Sequence, residues 1–367
     1  MAANDIIKKY AKLLVEYSLA LKKGDRLLIN STYLAEELLK EVYAAALSAG
    51  AYPEFKIALN GTDKIFYDNA SDSQLEYISP LSKYVYENYD SILNIMAPFN
   101  VKELQNTPAE KKQKSSAARA GLNKTFMQRS AENKLRWTLC EFPTNAGAQE
   151  CGMSQSEYAD FVYNCCFLYE NDPIRCWEKL ERDQQRIVDL LNSKKEIHYK
   201  GSNVDVKFRT DGRKWINSSG HHNMPSGEVF TAPVEDSING TVRFSYPGIY
   251  MGQEIEDISL EVKDGQVVNA KAAKGQELLN KILEIPGARR FGEAAIGNNE
   301  RVNKFTKNML YDEKMGGTIH MALGAGYPET GAKNESAIHW DLLADMKDGQ
   351  ILADGEVIYK NGKFLIS

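Results

Sequence analysis

RLLINSTYLAEELLKEVYAAALSAGAYPEFKIAL, residues Arg26–Leu59, decides how the first half of the chain folds. Arg26–Ser31 is a short apolar run with strand character. Residues 34–49 carry apolar side chains at helical spacing and stop at Gly50, and Pro53–Leu59 reads as a second strand. Two strands joined through a helix of this length form a βαβ unit, and hence a parallel sheet. The pattern continues outward: Ser91–Ala97 and Trp137–Pro143 supply two more strands. Upstream, Asp5 caps a helix that runs to about Lys22. Downstream, SQSE (Ser154–Glu157) is a capping box that opens a helix to about Tyr169, and Asp172 to about Asn192 is a long charged helix expected to bridge two domains.

The texture changes after Lys194. Asp211-Gly212, Asn239-Gly240, Asp264-Gly265, Asp348-Gly349, Asp354-Gly355 and Asn361-Gly362 are turn dipeptides, several of them between β-prone segments such as TVRFSY, ISLEV and VIYKNGKFLI. This is the texture of antiparallel hairpins. The fold class expected is α/β: an N-terminal α/β domain with a mostly parallel sheet over 1–195, then a C-terminal β-rich α+β catalytic domain over 196–367.

Length and charge agree with two soluble globular domains. The chain has 367 residues, with 45 Lys+Arg against 50 Asp+Glu and a formal net charge of −5. A mildly acidic chain argues against nucleic acid as a partner, and the basic stretch Lys111, Lys112, Lys114, Arg119 is too short to reverse that. No apolar run approaches the roughly 18 residues of a membrane span, so no membrane partner is expected. The N-terminus reads as an amphipathic helix rather than a signal peptide. Five cysteines (Cys140, Cys151, Cys165, Cys166, Cys176) without a CxxC read as reduced, buried thiols in a cytoplasmic protein.

The chemistry gathers in the second half. In TIHMALGAGYPETGAKNESAIHWDLL (Thr318–Leu343), His339 and Asp341 are two residues apart in a strand-like run, so both point to one face. An imidazole and a carboxylate so placed can grip a divalent cation, or form a hydrogen-bonded surface pair. His320, in the strand-like TIHMALG, can converge from a neighbouring strand. Two histidines and a carboxylate suit zinc, iron, cobalt or manganese. Glu228 (MPSGEVFTAP) and Glu293 (RRFGEAAIGNN) are acids in apolar, glycine-flanked segments, which marks them as buried charges needing a partner or as caps of backbone amides. Together the five residues supply about the ligand count of a two-metal hydrolytic centre. There is no HExxH, no GxSxG and no P-loop; GAGYPETG lacks the GKS/GKT ending. His198, in EIHYKG, reads as a surface or packing residue.

At these residues the sequence resembles the aminopeptidase T/aminopeptidase S family of metallo-aminopeptidases, also called the thermophilic metalloprotease family. MPSGEVFTAPVEDSINGTVRF is close to that family's signature block. FGEAAIGNN, IHMALGAGYPE and IHWDLL follow in the family's order, and CGMSQSEYADFVY (Cys151–Tyr163) matches further upstream. The resemblance implies two divalent metal ions (Zn, Co, Mn or Mg) held by Glu228, Glu293, His320, His339 and Asp341, with Glu313 of LYDEKMGGTIH added across a small gap. It places Tyr327 on the family's active-site tyrosine. It also implies a cytoplasmic homodimer whose active site faces an internal cavity and takes short peptides with a free N-terminus. In that reading Glu293 or Glu313 moves the water's proton and Tyr327 donates to the oxyanion, although Tyr327 taken alone also reads as a packed ring beside Pro328. The main alternative is a mononuclear iron(II) ring-cleaving dioxygenase on the same fold, using His320, His339 and Asp341. Against it stand Glu228 and Glu293, which a one-metal site does not need. A metal-free peptide-binding protein is a third reading.

Overall fold

The computed structural model describes residues 3–365, and the elements counted below are those of the described residues. Backbone contacts divide the chain into two units. The first runs through Cys176 and takes in Gly220–Met224; the second comprises Trp177–Ser219 and everything from Pro225 onward.

The first unit is built on a five-stranded sheet, in the order Tyr52–Ala58, Arg26–Thr32, Ser91–Met96, Arg136–Glu141, Asn223–Met224. Every neighbouring pair is parallel, as the βαβ reading requires. The helix Glu36–Ser48 buries Leu38, Leu39, Val42 and Ala46, one stripe at helical spacing. The short strand Asn223–Met224 arrives from far along the chain and carries too little pattern for the sequence to show it. Two helices stop earlier than expected. The first is α-helical over Ala3–Lys12 and widens into a π-helix over Leu13–Ser18. Leu13, Leu14, Val15, Tyr17 and Ser18 are all buried there, and the run ends before Ala20, whose φ is 45°. The helix capped by Ser154 covers Gln155–Cys165 and stops before Phe167, whose φ is 59°. Its capping box forms as read. None of the five cysteines forms a disulfide; Cys140, Cys165 and Cys166 are buried and Cys151 and Cys176 partly so.

The sheets of the second unit, of eight, five and two strands, are antiparallel. Asp264-Gly265, Asp354-Gly355 and Asn361-Gly362 close its hairpins with positive φ at both residues, the backbone that makes Asx-Gly the favoured two-residue turn. One apolar core draws on both larger sheets, for example Val206 and Phe208 from one and Ile319 and Leu342 from the other. Ile187, Val188 and Leu191 of the helix Pro173–Asn192 belong to that core, which is why the division falls at Cys176/Trp177, ahead of residue 195.

An ion pair inside this unit fastens the loop that carries Tyr327. Arg213, 5% exposed in its side chain, pairs with Glu235, and Glu235 Oε1 accepts from the backbone N–H of Lys333 at 2.7 Å. Deleting the carboxylate leaves a buried guanidinium unpaired. Glu235→Ala should therefore cost about 3 kcal/mol of stability, read as a lower urea midpoint at unchanged m-value.

Candidate metal centre

The five-stranded sheet of the second unit builds the centre. Its order is His339–Asp345, Thr318–Gly324, Phe291–Gly297, Glu228–Thr231, Ile216–Ser218. In the register, Ala322 lies opposite both Asp341 and Glu293, His320 opposite Ala295, Gly324 opposite His339, and Gly297 opposite Glu228. Residues directly opposite share a face, and alternate residues return to it. Glu228, Glu293, His320, His339 and Asp341 therefore all project from one face. Between them on that face lie Ala295, Gly297, Ala322 and Gly324, small residues that leave room. The other face presents Val229, Ile296, Ile319, Met321, Leu323 and Leu342 to the core.

A β-bulge lies between Phe291 and Glu293. Phe291 pairs with Leu323 and Glu293 with Ala322, so Gly292 is an extra residue between them. In an unbroken strand Phe291 and Glu293 would share a face; with the bulge, Phe291 enters the core while Glu293 stays on the site face with Ala295 and Gly297. Gly292 also lies against the next loop, where a Cβ would fall 2.3 Å from Ala325 O and 2.6 Å from Gly324 O.

The side chains converge. His320 Nε2 is 3.2 Å from Glu293 Oε1 and 3.6 Å from Glu228 Oε2. His339 Nε2 is 3.2 Å from Glu293 Oε2 and 3.4 Å from Asp341 Oδ1. His339 Nδ1 lies 2.7 Å from the carbonyl of Ala325. A carbonyl only accepts, so Nδ1 carries a proton and Nε2 is the nitrogen left for the centre. Two three-residue groups bring ligand atoms within 4.8 Å of one another: Glu293, His339 and Asp341, and Glu313, His320 and Asp341. Asp341 belongs to both. Glu313, just past the short helix Met309–Asp312, thus joins the others.

The residues present fit divalent metal. Glu228 Oε2 and Asp341 Oδ1 are buried with no hydrogen-bond donor, and the donor set is imidazole and carboxylate throughout. Within the chain itself, the imidazoles and the Lys314 ammonium carry the balancing charge. Burial works against a charged His339, but Asp341 and Glu293 outweigh it and push its pKa up to about 12. Burial likewise opposes a charged His320, and Glu293 and Glu228 push it up to about 9. Asp341 feels the same burial, overcome by His339 and His320, and sits down at about 2. Glu313 is raised to about 7, first by burial and then by Glu228 and Asp341, against the pull of Lys314. A metal held by these residues would take the place of the imidazole protons.

Tyr327 stands at the edge of the cluster. Its ring centroid is 5.0 Å from that of His339 and 5.7 Å from that of Phe230. Burial and the carboxylates Glu293 and Asp341 raise its pKa, so the phenol keeps its proton. Lys314 was not visible as a site residue from the sequence. It is 0% exposed and donates to Glu228 Oε1 at 2.7 Å and to Glu313 Oε1.

The other histidines stand elsewhere. His221 stacks on Tyr17 and His222 on Trp137, all in the first unit. His198 Nε2 lies 2.6 Å from Asp205 Oδ1 on the adjacent strand, and that aspartate is 65% exposed. A pair of this kind contributes little. The His198 side chain is itself only 15% exposed, so His198→Ala should cost about 1 kcal/mol of stability through lost packing and leave metal content unchanged by elemental analysis.

Residues 3–364 match the model of the family described as thermophilic metalloprotease, M29. The chain is 29% identical to Aminopeptidase 2 of Geobacillus stearothermophilus, over 98% of this chain and 97% of that protein. It is 26% identical to Aminopeptidase AmpS of Bacillus subtilis, over 98% of each, and 25% identical to Aminopeptidase T of Thermus thermophilus, over 97% and 95%. The solved structure of wild-type AmpT from Thermus thermophilus matches with a TM-score of 0.85 over 98% of this chain and 99% of that one; at 23% identity it shows the fold. None of the described helices is long and apolar enough to cross a membrane. With a family model matched across nearly its whole length, the chain belongs to the thermophilic metalloprotease family, M29.

Proposed function

We propose that the chain is a metal-dependent aminopeptidase that removes the first residue of short peptides at a centre for two divalent ions (Zn, Co, Mn or Mg). The observation that carries this reading is Asp341, one carboxylate common to two three-residue groups on one sheet face. The relatives named aminopeptidases support the reaction class. The catalytic part is the C-terminal domain, taken as 196–367, with 1–195 as the N-terminal domain. We also assign it to the cytoplasm as a homodimer. The edge strand Tyr52–Ala58, which leaves Tyr52, Phe55 and Ile57 exposed, is consistent with a partner copy.

Bound at the centre, divalent ions supply a water nucleophile at neutral pH and a Lewis acid for the scissile carbonyl. The chain's residues do the rest. Glu228, Glu293, Glu313, His320, His339 and Asp341 hold the ions. Glu293 or Glu313 takes the water's proton and returns it to the leaving amine. Tyr327, kept protonated, donates to the oxygen on which negative charge develops. Carboxylate oxygens not engaged with metal attract the substrate's α-ammonium. The iron(II) dioxygenase reading finds no support in the family match and is set aside.

The test pairs substrates with a variant. Unblocked dipeptides should release free amino acids and N-acetylated ones none. Glu228→Gln should lose roughly tenfold to a hundredfold in turnover and metal affinity, a moderated effect because Lys314 already pairs one of its two oxygens. Full activity in Glu228→Gln with a single bound ion, or equal hydrolysis of acetylated dipeptides, would refute the two-ion aminopeptidase.

A further inference from the structure

Lys314 brings a positive charge of its own into the centre. Its ammonium contacts Glu228 and Glu313, the second of which belongs to the group with His320 and Asp341. Among the described residues, Glu293 and Asp341 have only histidines as ion-pair partners. The two ends of the centre therefore differ. One offers carboxylates and an imidazole alone; the other offers carboxylates already compensated by an ammonium.

The ammonium cannot move away with its backbone. Lys314 N donates to Tyr311 O at 2.9 Å, and Lys314 O accepts from Asn299 N at 3.0 Å. The turn packs on Gly297 so closely that a Cβ there would sit 2.2 Å from Met315 O and 3.1 Å from Lys314 C. Only rotation of the buried side chain can clear the space. Charge bookkeeping points the same way. Glu228, Glu293, Glu313 and Asp341 carry four negative charges when ionised. One dication and Lys314 leave a single negative charge, suited to an incoming α-ammonium. Two dications and Lys314 leave a surplus of one positive charge, which only a hydroxide or another anion at the centre offsets and which leaves no negative charge for an α-ammonium.

Resting on the two-position reading above, we infer that Lys314 is a built-in cation for the Glu313–His320 end. The chain holds one divalent ion tightly with Glu293, His339 and Asp341. It admits a second only against the ammonium. Lys314 is thus a residue that determines metal stoichiometry, and the second equivalent binds reversibly at higher free-metal concentration.

Metal-stripped full-length protein titrated with Co²⁺, followed by equilibrium dialysis with elemental analysis, tests this without measuring activity. Wild type should bind one equivalent tightly and a second at least about tenfold more weakly. Lys314→Met, which keeps the length and removes the charge, should tighten the second equivalent by about tenfold or more and leave the first nearly unchanged. Lys314→Arg should keep the weak second step. If Lys314→Met does not fold by circular dichroism, Lys314→Gln, which keeps a donor for Glu228, carries the same expectation. Two equally tight equivalents in wild type, or a second step unmoved by the neutral variant, would overturn the inference and leave the aminopeptidase reading standing. No Co²⁺ bound by wild type at all would overturn both.

Discussion

Asp341→Ala should lower peptide turnover by about 10³-fold or more and remove divalent metal from both positions, with the fold retained. Its carboxylate is common to both ligand groups, so one substitution takes a ligand from each. Its neighbours Trp340 and Leu342 face the core and are untouched by the change. In the metal-free protein the variant takes one carboxylate from His339, which keeps Glu293 at 3.2 Å. The far-ultraviolet spectrum should therefore match wild type while elemental analysis shows metal lost. Full metal content in Asp341→Ala would remove this residue from the ligand set.

Gly292→Ala should be nearly as damaging without touching a ligand. The added Cβ meets two backbone oxygens, Ala325 O at 2.3 Å and Gly324 O at 2.6 Å. Backbone cannot swing aside as a flexible side chain can. Either the bulge is lost, which turns Phe291 from the core toward the site face, or the 324–327 loop is pushed off. That loop carries both the Ala325 carbonyl that orients His339 and the Tyr327 ring. A displacement of about 1 Å costs roughly 10²-fold in rate, and the packing conflict adds about 3 kcal/mol of destabilisation. Wild-type turnover and an unchanged urea midpoint in Gly292→Ala would show that neither the bulge nor its close approach to the 324–327 loop shapes the centre.

The sequence made some of this legible and hid the rest for physical reasons. His339 and Asp341 could be placed on one face because period-two alternation needs nothing beyond the strand itself. His320 could be placed on a strand, but its adjacency to the His339 strand is a pairing, and pairings are not written in any single segment. The bulge at Gly292 was invisible for the same reason: whether a glycine is a paired residue or an extra one depends on the strand opposite. Glu313 was reached by resemblance. Lys314 was missed because lysine is almost never fully buried without a partner, and LYDEK reads as a solvated charged turn. The hint that could have found it is the count of acids, since several buried carboxylates call for a buried cation. The parallel sheet of the first half was readable because each crossover is local, whereas the strand Asn223–Met224 joins that sheet from the far side of a domain's worth of chain.

The two-faced sheet has a bearing on how the enzyme matures. Each ligand alternates with a residue of the apolar core, so a slip of one position along Thr318–Gly324 or His339–Asp345 would carry Met321 or Leu342 to the site and bury an imidazole or a carboxylate among hydrocarbons. The unfolded chain offers an ion little beyond the His339–Asp341 pair, since the other ligands are scattered from Glu228 to His320 and join that pair only when four strands are in register. Metal capture is then a late event, a proofreading step that follows pairing and cannot guide it. A nascent chain with one strand misaligned would be left as an apoprotein, and its metal content would report on the fidelity of its folding.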